Sequence, residues 1–134
     1  MKKVLLVIFT LIIFTGCTKN EFNMDEVEFV SHKETLKVGE EVKFYLTNIQ
    51  QHKSNYLYYW EVDSGEFMKQ SLTVGRKVLD DSTSMLWTAN ETTKTNTHIH
   101  LQILDINTKK VLKNYTLFIM KDENDNIKIS ERNL

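Results

Sequence analysis

The amino-acid sequence predicts an all-β protein, an antiparallel β-sandwich of about seven to eight short strands that follows a signal-peptide helix and a flexible tether. Two observations predict the sandwich. Apolar residues recur at every second position in several segments, and clusters of Asp, Asn, Ser and Gly separate those segments. A third observation, an apolar run confined to the start of the chain, predicts the signal.

The chain begins with a positively charged start followed by a short apolar segment. Lys2 and Lys3 precede the uncharged residues 4–14. As a helix this segment would span roughly 16 Å, little more than half of the roughly 30 Å hydrocarbon core of a bilayer. It is too short for a stable membrane span and has the layout of a secretory signal.

The apolar run stops at Gly16 and Cys17, the only cysteine of the chain. The segment "FTGC", residues 14–17, resembles the lipobox of bacterial lipoproteins. The resemblance implies that residues 1–16 are a signal peptide, that the chain is cut before Cys17, and that this cysteine carries fatty acyl chains such as palmitate. Two or three acyl chains hold a protein firmly to a membrane, because each buried methylene contributes about 0.8 kcal/mol. The alternatives are an ordinary secretory signal in which Cys17 is incidental, and an uncleaved anchor.

The amino-acid composition argues against several classes of function. The 17 basic and 18 acidic residues are well mixed, so the clustered basic surface of a nucleic-acid-binding protein is not expected. A single cysteine excludes a disulfide framework and a cysteine metal site. The length suits one domain. The predicted organisation is a lipidated cysteine and tether over residues 17–26, a sandwich over residues 27–121, and a tail over residues 122–134.

Three segments show the two-residue period of half-buried strands, with apolar side chains inside and polar side chains outside. The inward positions are Val42, Phe44 and Leu46, then Tyr58, Trp60 and Val62, then Ile99, Leu101 and Ile103. Turn-forming residues separate the strands, because Asp, Asn and Ser bond to nearby backbone and Gly permits positive φ. These turn signals occupy residues 38–40, 63–65, 80–82 and 105–108.

Four short motifs carry a resemblance to a known family. They are "VGEEVKFYL", "YYWEVDSGEF", "SMLWTANE" and "HIHLQILD". Together they are similar to the immunoglobulin-like and PKD-like domains of bacterial surface proteins, over residues 27–121. The resemblance implies that Trp60 is the core residue of the third strand and that Trp87 lies near the end of the fifth. Asn90 stands where such domains usually have Pro, and the cysteine pair of antibody domains is absent.

A candidate binding face follows from the same alternation. If Trp60 points inward, Leu57 and Tyr59 point outward, and the resemblance places their strand beside the one that presents His98, His100 and Gln102. Exposed aromatics among hydrogen-bonding side chains suit a protein or glycan contact. The alternative is that Leu57 and Tyr59 merely cover the sheet surface. No third ligand can be named for the two histidines, so we expect a solvated pair rather than a metal site.

The tail carries a second pattern of metal-ligand type. "DENDNI" has the spacing of the first half of an EF-hand loop, but Ile127 stands in place of the turn glycine and Asn133 in place of the closing glutamate. We therefore expect a solvated turn. Residues 127–130 then either form a hairpin with the preceding strand, as an edge strand of the sheet, or fray.

The sequence contains no Gly-x-Ser-x-Gly, phosphate-loop or His-Glu-x-x-His motif, so we expect no enzyme and no cofactor. The expected protein is a lipid-anchored, non-catalytic binding or structural module of the cell envelope, with a protein or glycan partner. It would lie at the outer membrane of a Gram-negative cell or on the outer face of a Gram-positive plasma membrane. The alternative function is an inhibitor or immunity lipoprotein that binds one enzyme or toxin at the cell surface.

Overall fold

The computed structural model describes residues 22–131, which form eleven β-strands and two short 3-10 turns. The turns are Met24–Glu26 and Lys53–Asn55. The strands are β1 (Phe29–Ser31), β2 (Thr35–Lys37), β3 (Glu41–Leu46), β4 (Tyr56–Val62), β5 (Glu66–Lys69), β6 (Leu72–Gly75), β7 (Lys77–Asp80), β8 (Ser84–Thr88), β9 (Asn96–Asp105), β10 (Val111–Lys121) and β11 (Asn126–Ser130). The predicted signal peptide and Cys17 lie outside the described residues.

Two antiparallel sheets pack together and confirm the all-β class. The first sheet has the strand order β1-β3-β8-β5-β6, and the second sheet has the order β2-β11-β10-β9-β4-β7. The three alternating segments of the sequence lie in β3, β4 and β9, and every position predicted to face inward is buried. The four predicted turn segments separate consecutive strands.

The number of strands exceeds the seven to eight predicted, because two stretches of chain each pair with both sheets. β1 belongs to the first sheet and β2 to the second, with residues 32–34 between them. In the same way β6 pairs in the first sheet and β7 in the second, with Arg76 at the change of sheet. A chain that changes sheet shortens both edge strands, which limits the length of unpaired backbone that each edge presents.

Aromatic rings fill the space between the sheets. Trp60 on β4 is wholly buried and meets two rings of the first sheet edge-on, Phe29 at 5.7 Å and Phe67 at 6.3 Å between ring centroids. Trp87 on β8 is also wholly buried and meets Phe44 at 6.4 Å. Edge-to-face aromatic pairs contribute about 0.5–1.5 kcal/mol beyond the burial of their area. The contacts of Trp60 therefore join the two sheets, whereas the pair of Trp87 and Phe44 packs within the first sheet.

Part of the predicted tether, residues 22–26, contacts the folded body. Phe22 and Met24 are partly buried against the core, and Lys113 of β10 donates to the carboxylate of Asp25 at 3.1 Å. The residues from Phe22 onward are thus part of the folded body, and its N-terminal boundary lies before Val27. Phe22 and Met24 stand in a short polar segment, and such a composition is typical of a linker. Only the contacts of these two side chains with the core distinguish the segment from a linker.

Of the two alternatives left open for the tail, the structure shows the hairpin, although not at an edge of the sheet. β11 pairs with β10 through the predicted hairpin, but β2 pairs with its other side, so β11 is an interior strand and not an edge. Ile127 and Ile129 of β11 are buried, at 1% and 5% exposure. The folded body therefore continues past Lys121 to Ser130. The predicted edge position was wrong because the partner, β2, is only three residues long and gave no period-two signal.

The corner between β4 and β5 depends on a glycine. Gly65 has φ of +71°, and a Cβ there would lie 2.5 Å from Nε1 of Trp87, which donates to the backbone oxygen of Ser64 at 3.0 Å. We expect Gly65→Ala to destabilise the fold by about 3 kcal/mol or more, from overpacking together with the positive φ. Chemical denaturation measures this change.

Gly39 provides the matched control. Its φ is +91° but no atom lies within 4 Å of a built Cβ, so Gly39→Ala should cost only the about 1–2 kcal/mol of the backbone conformation. Equal losses in the two variants would show that the contact with Trp87 does not constrain the corner.

Candidate binding face

All five side chains predicted for the binding face lie on two paired strands of the second sheet. β4 and β9 are antiparallel neighbours, with Tyr59 opposite Gln102 and Leu57 opposite Leu104. Each of the five is half-buried and alternates with wholly or nearly wholly buried neighbours. They therefore share the outer surface of the sheet, away from the core.

The flanking strands extend this surface. β7 lies beside β4 and β10 lies beside β9, and cross-strand partners share a face. We use the name outer face for the following side chains: Leu57, Tyr59 and Glu61 of β4; His98, His100 and Gln102 of β9; Asn114, Thr116 and Phe118 of β10; and Lys77 and Leu79 of β7. The outer face thus spans four adjacent strands.

One row across the outer face combines apolar and amide groups. It runs from Leu79 through Tyr59 and Gln102 to Asn114, in the register of the four strands. Leu79 is 56% exposed, so the apolar end of the row is open to solvent. Gln102 donates from Nε2 to Oδ1 of Asn114 at 3.0 Å, which orients both amides. The row presents an apolar end and a hydrogen-bonding end.

The next row is charged and polar. Glu61 accepts from the Tyr59 hydroxyl at 3.1 Å and lies 3.5 Å from the Lys77 ammonium. Partial burial, followed by the hydrogen bond to Glu61 and its negative charge, raises the pKa of Tyr59 against the opposing effect of Lys77. The Tyr59 hydroxyl is the donor in its bond to Glu61. His100 lies opposite Glu61 and its Nδ1 is 2.9 Å from Oγ1 of Thr116.

The third row joins the outer face to the β4–β5 corner. Asp63 accepts from the backbone N–H of His98 at 3.0 Å, and its Oδ2 lies 2.7 Å from Nδ1 of the same histidine. Phe118 packs edge-on against the His98 ring at 5.1 Å. Burial alone would raise the pKa of Asp63, but the two hydrogen bonds from His98 and the charges of His98 and His100 hold it below its ordinary value.

The carboxylate of Asp122 accepts hydrogen bonds from within the hairpin turn between β10 and β11. Asp122 accepts from the backbone N–H groups of Asn124 at 2.8 Å and Asn126 at 2.9 Å, and from the Asn126 side chain. The Asn126 and Asn124 bonds lower the pKa of Asp122. The carboxylate thus organises a turn. Within residues 22–131, no group of three or more His, Cys, Asp or Glu side chains is placed to hold a metal ion.

Sequence reasoning missed several residues of the outer face and also Asp63, which lies beside it. Asp63 was assigned only to a turn, because its bond to His98 joins residues 35 positions apart. Leu79 and Lys77 lie on a four-residue strand whose alternation is too short to recognise. Thr116 and Asn114 occupy outward positions of β10, and only the strand register brings them beside His100 and Gln102.

Among the helices of residues 22–131, none is long and apolar enough to cross a bilayer. No protein-family model, no curated protein and no solved structure matches this chain. The outer face is therefore interpreted from its own side chains.

The pairing of Asp63 with His98 predicts a loss of stability in acid. Because the pKa of Asp63 is lower in the folded chain than the about 3.9 of an unfolded aspartate, its ionised form stabilises the fold above about pH 4, and this stabilisation is lost as pH falls through the folded pKa. Asp63→Asn should lower stability at pH 7 by about 1 kcal/mol, a modest value because the pair is more than one-third exposed.

The measurement is the melting temperature by circular dichroism at pH 7 and pH 3. The difference between the two should be smaller in Asp63→Asn than in the natural chain. Asp81→Asn, at an exposed carboxylate of the β7–β8 turn, should keep the full difference. An unchanged acid dependence in Asp63→Asn would contradict the assigned role.

Proposed function

We propose that this chain is a lipid-anchored, non-catalytic binding module of the cell envelope, with an immunoglobulin-like sandwich that contacts its partner through the outer face. The observation that carries the proposal is the outer face itself. It combines an exposed Leu79, an aromatic ring and paired amides on four adjacent strands. Such a mixture of apolar surface and oriented hydrogen-bonding groups suits a protein or glycan contact.

The strand order supports an immunoglobulin-like topology. In that fold, one sheet has the order A-B-E-D and the other has the order C-F-G. Here β1-β3-β8-β5 matches the first order and β4-β9-β10 matches the second. Trp60 lies on the strand that corresponds to C, where immunoglobulin domains bury a tryptophan. The interior position of β11 and the placement of β7 after β5 and β6 are departures from the simple pattern.

Internal hydrogen bonds support a recognition role for the outer face. Tyr59 is held by Glu61, Gln102 by Asn114, and His98 by Asp63. Side chains that are already ordered lose less conformational entropy when a partner binds.

Affinity capture tests the proposal. The full-length chain, purified in detergent, is used to capture partners from solubilised cell envelope. One stoichiometric protein partner that is an enzyme or a toxin would favour the inhibitor or immunity function. Retention of glycan or peptidoglycan fragments would favour a scaffolding function.

Substitution on the outer face should weaken this capture. We expect Tyr59→Ala and His100→Ala each to reduce affinity at least tenfold, because central interface residues commonly contribute more than about 1.4 kcal/mol. Tyr45→Ala is the matched control, since Tyr45 is a half-buried tyrosine on β3 of the other sheet. Full binding by both outer-face variants, with stability unchanged, would refute the choice of face.

The lipid anchor has a separate test. Cells labelled with radioactive palmitate should incorporate label into the natural chain, which should fractionate with membranes. Cys17→Ser should lose both the label and the membrane association, because the thiol is the proposed acylation site. A Cys17→Ser chain that still carries label, or an unlabelled natural chain with a free thiol, would refute the anchor.

A further inference from the structure

In place of the solvated pair expected from the sequence, we propose that His98 and His100 form a two-imidazole site for a borderline divalent transition-metal ion such as Zn²⁺. The two residues occupy successive outward positions of β9, so their side chains leave the sheet on the same side. Their rings are nearly parallel, with an interplanar angle of 10° and centroids 6.0 Å apart. Both side chains are half-buried, with their outer portions open to solvent.

The inner nitrogen of each ring already has a partner. Nδ1 of His98 lies 2.7 Å from Asp63, whose ionised carboxylate can only accept, so the proton of the neutral ring resides on Nδ1. The lone pair of His98 is then on Nε2. Nδ1 of His100 lies 2.9 Å from the Thr116 hydroxyl, which can accept in the same way. With Nδ1 engaged in both rings, Nε2 is the ring nitrogen of each histidine that no hydrogen bond occupies within residues 22–131, and it is the atom available to a metal ion.

Metal-ligating histidines usually show this second hydrogen bond. A carboxylate on the far ring nitrogen fixes the tautomer and ring orientation and makes the ligating nitrogen more basic. Asp63 meets this requirement with two bonds to the same residue, one to the ring and one to the backbone N–H. Asp63 is therefore a positioning residue of the site and not a ligand.

Two nitrogens on one tetrahedral zinc ion lie roughly 3.3 Å apart, because each Zn–N bond is about 2.0–2.1 Å. The rings, with centroids 6.0 Å apart, must tilt toward each other to bind one ion. Both side chains are half-buried at outward positions of β9, where rotation about the side-chain torsions can bring the two Nε2 atoms together. The cross-strand neighbour Glu61 is held by Tyr59 and Lys77, so water or a partner completes the coordination.

The ligand type selects the ion. Imidazole nitrogens suit Zn²⁺, Ni²⁺ and Cu²⁺, whereas Mg²⁺ and Ca²⁺ require oxygen ligands. The site does not depend on the proposed partner, because both ligands belong to one chain. Binding of metal to the purified protein therefore tests this proposal separately from the proposed function.

The experiment is a Zn²⁺ titration of the full-length chain in detergent, stripped of metal by a chelator, in competition with a chromophoric zinc indicator. The natural chain should bind one Zn²⁺ at the histidine pair, and Mg²⁺ should not compete. His98→Ala and His100→Ala should each weaken zinc binding at least tenfold. Asp63→Asn should weaken it by roughly tenfold or more, as outer-shell substitutions commonly do.

Two variants serve as controls. His32→Ala removes an exposed histidine in the link between β1 and β2, and Cys17→Ser removes the only thiol. Both should bind zinc as the natural chain does. Chemical-shift changes at Nε2 of His98 and His100 on zinc addition, followed by NMR, provide a readout that does not depend on any variant folding. Zinc affinity unchanged by His98→Ala and His100→Ala, or Nε2 signals that do not respond to zinc, would overturn the proposal.

Discussion

The contact between Trp87 and the β4–β5 corner is the constraint on which the rest of the structure depends. The indole donates to the backbone oxygen of Ser64 and occupies the space beside Gly65 that a side chain would need. This contact determines where the chain leaves the second sheet for the first. Asp63, one residue earlier, is thereby held at the end of β4 and reaches His98 on the outer face. The three consecutive residues Asp63, Ser64 and Gly65 thus connect the packing of the core to the outer face.

Because side chains alternate between the two sides of a β-strand, the burial of one side chain determines the orientation of its neighbours. Once Trp60 is buried against Phe29 and Phe67, the pleat requires Tyr59 and Glu61 to point outward. A one-residue slip of β4 would exchange the two sets and expose the largest ring of the core. The packing of Trp60 in the core therefore determines which side chains of β4 lie on the outer face.

The alternation of apolar and polar residues predicted strands that have five or more residues, with one side facing the core and the other facing solvent. β3, β4 and β9 meet this condition, and with them Tyr59, His98, His100 and Gln102 were placed correctly on one surface. The prediction failed where pairing depends on distant chain. β2 and β7 are too short to show a period, and β11 is enclosed by β2 only because the chain changes sheet. The bond of Asp63 to His98 is likewise a consequence of strand register, which no local pattern contains.

The outer face has two chemically distinct ends, and under the proposed function the two ends would contribute to binding in different ways. At the Leu79 end, exposed apolar surface lies beside Tyr59, where desolvation provides affinity. At the His98 end, a carboxylate and two imidazoles present directional groups whose internal bonds leave outward atoms free. A partner that covers both ends would gain affinity from the first and orientation from the second. Because the two ends are joined by register-paired strands within one sheet, their separation is fixed, and specificity follows from matching that spacing.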